Sequence, residues 1–199
     1  MKRRKILLVL TMAMFTLSGC VSVPKPIYTP PEQTNNTDKY QIILDQPFDE
    51  VWKKLIQYSA KTFFSIDNYE KQSGLITLSF GSADPVQFIT GGRLYWELPP
   101  TVKFPTPGGY FHIFDGDIVE YLRIYNNGTL DGKMNIAVTS LDKNKTKVAV
   151  HARYIFITAN NTWVFDSGSC CTVIASGKTK GVTICPTYLA EKSILSALK

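Results

Sequence analysis

The chain has 199 residues, of which 44% are hydrophobic and 19% are charged, and its formal net charge is +6. Four of its 22 lysines and arginines lie in residues 2–5, which leaves a nearly neutral balance in the rest of the chain. These totals allow one globular domain with a sizeable core, and they argue against a strongly basic nucleic-acid-binding domain.

The N-terminus has the pattern of an export signal. Four basic residues, 2–5, precede an apolar stretch, 6–17, that is too short to span a membrane. Ser18-Gly19-Cys20 follows, and this segment resembles the lipobox of bacterial lipoproteins, in which the cysteine receives a diacylglyceryl group. The resemblance implies a signal peptide over residues 1–19 and a membrane anchor at Cys20. An ordinary secretory signal with a chance cysteine is the alternative.

The residue after this cysteine favours one of the two envelope membranes. It is Val21, whereas an Asp at this position would resemble the signal that retains lipoproteins in the inner membrane of enteric bacteria. We therefore expect a protein that is lipid-anchored in the cell outer membrane and faces the periplasm.

Residues 20–39 have the composition of a linker. They carry four prolines and then a polar run, without the apolar period of a helix or strand. The pattern predicts an extended tether that would span up to about 60 Å. An ordered N-terminal arm laid on the domain is the alternative. The folded part is then a single domain over residues 40–199.

A helix and a β-hairpin are predicted at the start of this domain. Pro47 suits a first helical position, and the acidic residues that follow it favour the first turn. Positions at helical spacing then form one face: Phe48, Val51, Trp52, Leu55, Ser59 and Phe63. Two alternating segments, 64–67 and 76–80, flank the turn 71–74 and predict a hairpin.

Residues 81–117 interrupt this regular pattern. They are rich in Gly and Pro and carry aromatic side chains, so they predict either a packed insertion or a partner-binding surface. Aromatic residues dominate the binding energy of protein interfaces. The residues that we expect to contact a partner are Tyr95, Trp96, Phe104, Tyr110 and Phe111.

An antiparallel meander is predicted from residue 118 onwards. Residues 118–125 alternate as a strand would, and Asn127-Gly128 is typical of a tight hairpin turn. Alternating apolar residues in 134–138 and 148–156 predict the next two strands, and 163–165 a further one. A cysteine-bearing hairpin then leads to Pro186, which is expected to open a C-terminal helix.

The order of these elements indicates an α+β fold. It predicts an antiparallel curved β-sheet packed on a long N-terminal helix and a C-terminal helix. The segment from Phe48-Asp49-Glu50-Val51-Trp52 through Gly74-Leu75-Ile76 resembles the helix-grip domains of BamC-like outer-membrane lipoproteins. That family belongs to the β-barrel assembly machinery, so the resemblance implies a component of an outer-membrane complex.

The cysteines beyond Cys20 indicate an oxidising compartment. Cys170, Cys171 and Cys185 remain, and one disulfide with one free thiol is the simplest count. A two-residue hairpin turn at 177–178 would place Cys170 opposite Cys185, whereas a three-residue turn would place Cys171 there. A zinc site is the alternative, although no C-x-x-C pair is present.

No residue pattern predicts catalysis, a cofactor or a metal. Asp115, Asp117 and Glu120 carry the carboxylates that calcium prefers, but their spacing lacks the rest of a calcium loop and a solvated turn is the better interpretation. His151 is predicted on the outward face of its strand, with no nucleophile placed beside it by the sequence. The sequence therefore predicts a non-enzymatic protein.

Three functions remain for such a chain. The first is a non-catalytic envelope lipoprotein that contacts the membrane through its anchor and binds another envelope protein, with no nucleic-acid partner. The second is a carrier of a small apolar ligand or lipid, since a sheet curved around a helix can enclose a cavity. The third is a hydrolase that uses His151.

Overall fold

The computed structural model describes residues 25–32, 40–97, 114–174 and 181–199. Over these residues the structure is α+β, with three α-helices and strands that pair antiparallel. The strands are β1 (Lys25–Thr29), β2 (Gln41–Leu44), β3 (Ser65–Glu70), β4 (Leu75–Ser82), β5 (Ile89–Thr90), β6 (Arg93–Glu97), β7 (Asp115–Asp117), β8 (Thr129–Asp142), β9 (Lys145–Ile157), β10 (Thr162–Asp166), β11 (Cys171–Val173) and β12 (Val182–Pro186). The helices are α1 (Phe48–Ser59), α2 (Ile118–Asn126) and α3 (Leu189–Ala197), and Pro85–Gln87 form a short 3-10 helix.

The largest sheet, which we call the main sheet, has the strand order β10-β9-β8-β4-β3, and β2 also pairs with β9. At its centre, the hairpin of β8 and β9 turns at residues 143–144, between the opposed residues Asp142 and Lys145. Burial alternates along both strands because successive side chains of a strand point to opposite faces. The strands predicted over 134–138 and 148–156 are confirmed.

One face of the main sheet is covered by α1 and α3, which also pack on each other. Val51 and Leu55 of α1, Ile194 of α3, and Ile136 and Val150 of the sheet are completely buried between them. Burial of each such side chain stabilises the folded state by about 1.5–3 kcal/mol. The same interior holds the carboxylate of Glu191.

The long N-terminal helix expected from the sequence is not seen. The first α-helix of the described residues, α1, has 12 residues; Pro47 is its N-cap and Ala60 its C-cap. Phe63, expected on its apolar face, lies beyond its end and is 56% exposed. The aromatic residues that follow α1 favour extended backbone instead of another helical turn.

The predicted hairpin after α1 is confirmed as β3 and β4. Its turn ends at Gly74, whose φ is +68°, a conformation that glycine adopts without steric cost. A Cβ at this position would lie 2.1 Å from the carbonyl oxygen of Val138. The Gly74 carbonyl also accepts a hydrogen bond from the Val138 N–H at 2.8 Å, which joins the turn to β8.

The strand predicted over residues 118–125 is wrong, because these residues form α2. Asp117 caps its first turn by accepting a hydrogen bond from the Val119 N–H at 2.8 Å. Asn127 ends it in the left-handed conformation, and the Gly128 N–H donates to the Leu122 carbonyl. Asn-Gly therefore closes a helix here, which is its other common role, instead of forming a hairpin turn.

Part of the predicted tether is also a strand. Residues 25–29 form β1, which pairs with β6 in a separate sheet of order β1-β6-β7. The ordered-arm alternative therefore describes these residues better than the extended tether does. Pro26 is compatible with β1 because β1 is an edge strand, where a missing N–H need not break a ladder hydrogen bond. Residues 1–24, with Cys20, lie outside the described residues.

The cysteine-bearing hairpin has the register of a two-residue turn. Thr172 lies opposite Thr183, and a disulfide joins Cys170 to Cys185. Cys171 is a half-buried free thiol. Pro186 ends β12 instead of opening the C-terminal helix, which begins at Leu189. The disulfide predicted between Cys185 and one of the two adjacent cysteines is thus present in the structure.

Candidate partner-binding surface

Strand β6 carries two of the residues predicted to contact a partner, and it places them on opposite faces. Tyr95 lies on the same face as Arg93, whose guanidinium carbon is 5.2 Å from the centre of the Tyr95 ring. Trp96 points to the other face, where its ring centre is 5.6 Å from that of Tyr121 on α2. Both side chains are half-buried.

Helix α2 extends the Trp96 contact into a patch of half-buried and exposed rings. Tyr121 and Tyr125 are four residues apart and therefore neighbours on the helix surface, with ring centres 4.8 Å apart. The Phe114 ring lies 5.3 Å from Tyr121. Tyr125 is 57% exposed and Ile124 is 49% exposed. We call Trp96, Phe114, Tyr121, Ile124 and Tyr125 the aromatic surface.

The predicted surface and the observed one overlap only in part. Of the five predicted residues, Trp96 joins the aromatic surface and Tyr95 does not, while Phe104, Tyr110 and Phe111 lie outside the described residues. The sequence reasoning missed Tyr121 and Tyr125 because it interpreted their segment as a strand. The pair Asp117 and Glu120, which has the spacing of a helix capping box, would have identified α2.

Asp117 fixes the position of α2 against the strands. Its carboxylate accepts hydrogen bonds from the N–H groups of Val119 and Gly91, at 2.8 and 2.9 Å, and from the Thr90 hydroxyl. A Cβ at Gly91 would lie 2.3 Å from the Ile118 side chain, so the turn between β5 and β6 approaches α2 closely. Asp117 is thus a structural cap.

The two other carboxylates of the candidate calcium cluster are paired with arginines. Asp115 accepts two hydrogen bonds from Arg93, each at 2.8 Å, and Glu120 accepts two from Arg123, at 2.6 and 2.7 Å. The hydrogen bonds from Arg93 and Arg123 lower the pKa of Asp115 and of Glu120. In the part of the chain that the structure describes, no group of three or more His, Cys, Asp or Glu could hold a metal ion.

A second feature lies on the face of the main sheet opposite α1 and α3. Two neighbouring grooves, of about 660 and 370 Å³, share Lys133 and Arg153 as lining residues. These cations lie directly opposite each other on β8 and β9. Lys133 is 3.7 Å from Asp67, and Arg153 has no ion pair among the described residues. The larger groove, which we call the sheet groove, is lined by Phe63, Ser65, Ser79, Phe80, Gly81, Asp131, Gly132, Lys133, Arg153 and Ile155.

His151 lies beside these grooves on the exposed face of β9, as predicted. Its ring packs at 5.1 Å on Tyr40. Across residues 25–32, 40–97, 114–174 and 181–199, no hydrogen bond joins His151 to a serine or cysteine. The hydrolase hypothesis therefore gains no support from the geometry around His151.

The interior also carries Glu191 of α3, which is completely buried. It accepts hydrogen bonds from the hydroxyls of Tyr154 and Ser167, each at 2.6 Å. Burial raises the pKa of Tyr154 well above its usual range, and the negative charge of Glu191 raises it further. Because the carboxylate is buried away from solvent, its role is structural, and its hydrogen bond with Tyr154 joins α3 to β9.

Comparison of the chain with protein-family models, with curated proteins and with solved structures finds no match. Among the described helices, none is long and apolar enough to cross a membrane.

Proposed function

We propose that this protein is an outer-membrane lipoprotein, anchored at Cys20 and facing the periplasm, whose domain binds another envelope protein without catalysing a reaction. The lipobox-like segment supports the anchor. The single observation that carries the binding role is the aromatic surface. It exposes Tyr125 and Ile124 beside the rings of Trp96 and Tyr121. Interface hot spots are enriched in Trp and Tyr.

The arrangement of the helices is part of this proposal. α1 and α3 pack together on one face of the main sheet, which supports a helix-grip-like, curved arrangement as in the BamC-like lipoproteins. A role in an outer-membrane complex is what that likeness suggests for the chain. We propose no cofactor, no metal and no nucleic-acid partner.

The binding role is tested by paired substitutions. Tyr125→Ser with Ile124→Ser should reduce crosslinking to the partner in intact cells at least about tenfold, as expected when hot-spot residues are removed. The matched control is Tyr69→Ser with Leu75→Ser, since these residues are 61% and 50% exposed on the main sheet. Both variants should keep the melting temperature of the unchanged protein. Equal crosslinking in the two variants would remove the aromatic surface from the proposal.

The sheet groove supports a second candidate function, the binding of an apolar ligand. It combines the apolar side chains of Phe63 and Ile155 with Lys133 and Arg153, so an amphiphile with an anionic head fits its chemistry. This groove lies on the open face of the sheet, whereas the sequence suggested a cavity between sheet and helix. Native mass spectrometry of the purified protein should show a retained ligand, which Arg153→Ala with Lys133→Ala should release.

A further inference from the structure

The position of β1 limits how far the domain can lie from its anchor. β1 begins at Lys25, five residues after Cys20. Five residues span at most about 18 Å, even fully extended. If Cys20 carries the lipid, as the proposed function holds, the start of β1 therefore lies within about 18 Å of the membrane surface. The sequence alone predicts a reach of about 60 Å, because its composition does not indicate the ordered strand β1.

β1 is joined firmly to the rest of the domain, so the short connection keeps the β1 end of the domain near the membrane. All five of its residues pair with β6. The Tyr28 hydroxyl also accepts a hydrogen bond from the Thr183 N–H at 2.9 Å and donates one to the Thr183 carbonyl at 3.2 Å. These bonds connect β1 to β12 as well as to β6. Releasing β1 would break both sets of contacts.

The end of β1 nearest the anchor lies beside the aromatic surface. Pro26, the second residue of β1, is directly opposite Trp96, and opposed residues of antiparallel strands have Cα atoms about 4.5–5.5 Å apart. From Trp96, ring contacts of 5.6 and 4.8 Å lead through Tyr121 to Tyr125. The aromatic surface therefore begins next to the N-terminal end of β1, from which the chain connects to Cys20.

The opposite end of the domain is identified by β8. This strand starts at Thr129, shortly after α2, and has 14 residues, so its own length from this start to its far end is about 45 Å. The turn at 143–144 lies at its far end. The domain thus has a near end, with α2, and a far end, with this turn.

The charges at the near end distinguish a protein partner from a lipid surface. Binding to anionic lipid uses unpaired cations, each contributing about 1 kcal/mol. Arg123 of α2 and Arg93, on the other face of β6, are both paired with carboxylates. Among the residues that the structure describes at this end, Lys25 is the exposed cation of β1. Aromatic residues bordered by paired charges have the composition of a protein interface.

We propose that the aromatic surface is held next to the outer membrane by the short connection to Cys20, and that its partner is a protein embedded in that membrane. This proposal rests on the proposed lipid anchor, and it names the partner class that the anchor allows.

The orientation is tested with the full lipidated protein in vesicles of phosphatidylethanolamine and phosphatidylglycerol. Energy transfer from a fluorescent amino acid at position 125 to headgroup-labelled lipid should be strong, and transfer from position 144 should be weak. Inserting 20 Gly and Ser residues after Val21 should remove the difference. Equal transfer from the two positions with the native connection would overturn the orientation. The mass of the N-terminal peptide is measured first, because an unmodified Cys20 refutes the anchor itself.

The partner class is tested by photo-crosslinking from position 125 in intact cells, with position 69 as the control. Mass spectrometry of the adducts should identify peptides of a membrane-embedded protein at position 125. The 20-residue insertion should reduce these adducts about tenfold, as effective concentration falls with roughly the −3/2 power of linker length. The proposal would be overturned by adducts with lipid or by the absence of adducts at position 125. It would also be overturned by adducts with a soluble protein whose yield the insertion does not change.

Discussion

The main sheet and the region around α2 are stabilised in different ways. The main sheet with α1 and α3 buries apolar side chains completely, among them Leu55, Ile136 and Val150. The region of β6, β7 and α2 is positioned by polar contacts, such as those of Asp117, and it leaves Tyr125 more than half exposed. A region that keeps aromatic side chains in solvent, although a core is available nearby, is a candidate for binding.

The largest expected effect separates the two regions through a matched pair of tryptophans. Trp163 of β10 is 2% exposed, and its indole N–H donates to the Val182 carbonyl at 3.1 Å. Trp163→Ala should lower the free energy of unfolding by about 3–5 kcal/mol. Trp96→Ala should cost only about 1–2 kcal/mol, because Trp96 is half-buried. Urea denaturation measures both values. A similar loss in both variants would contradict the distinction between a fully buried main sheet and a partly exposed region around α2.

The next largest effect on the free energy of unfolding should come from the buried polar groups between the main sheet and α3. Glu191→Ala removes two hydrogen bonds and leaves the buried Tyr154 hydroxyl without its acceptor. We expect a loss of about 2–4 kcal/mol in the free energy of unfolding. Glu191→Gln keeps one acceptor oxygen and should lose less. If Glu191→Gln and Glu191→Ala are equally destabilised, the carboxylate is not the group that holds Tyr154.

A smaller effect is expected from the cap of α2. Asp117→Ala removes the side chain that accepts hydrogen bonds from Val119 and Gly91, which should cost about 1–2 kcal/mol. Asp117→Asn, which keeps one capping oxygen, is the matched control and should cost less. Hydrogen exchange should show faster opening of α2 in the Ala variant while the amides of β8 and β9 keep their protection. Equal acceleration in both regions would mean that α2 unfolds only with the core.

The same division explains which parts of the fold the sequence predicts. In β8 and β9 one face is buried, so the alternation of apolar residues identifies both strands. Residues 118–125 also alternate, but only Ile118 and Val119 are buried in α2, so no continuous apolar stripe marks the helix. Its cap residues carry the better signal.

β1 was missed for a related reason. Its pairing partner, β6, lies about 70 residues away in the chain, and backbone pairing at a sheet edge requires little of the side chains. The candidate surface is therefore only partly predictable, since residue type alone indicates Trp96, whereas identifying Tyr121 and Tyr125 requires knowledge of the helix.

The smallest effect concerns the acid range of pH, where the two regions again differ. The hydrogen bond from Arg123 lowers the pKa of Glu120 in the folded state below its unfolded value, which is about 4.3. The ion pair therefore stabilises α2 fully above about pH 5, and this contribution is lost as the pH falls through the folded pKa. Because water still reaches about a third of each side chain, 36% of Arg123 and 30% of Glu120, the contribution of the pair should be only about 0.2–0.5 kcal/mol and should shrink in high salt.

Glu120→Gln tests this contribution through the pH dependence of unfolding. The variant should be slightly less stable than the unchanged protein at pH 7, and the difference should shrink as the pH falls through the lowered folded-state pKa of Glu120. The buried Glu191 provides the contrast, since replacing it should lower the free energy of unfolding at low and at high salt concentration alike. A Glu120→Gln loss that does not shrink as the pH falls would show that the side chain acts through packing, and the region around α2 would then depend less on charge than its contacts indicate.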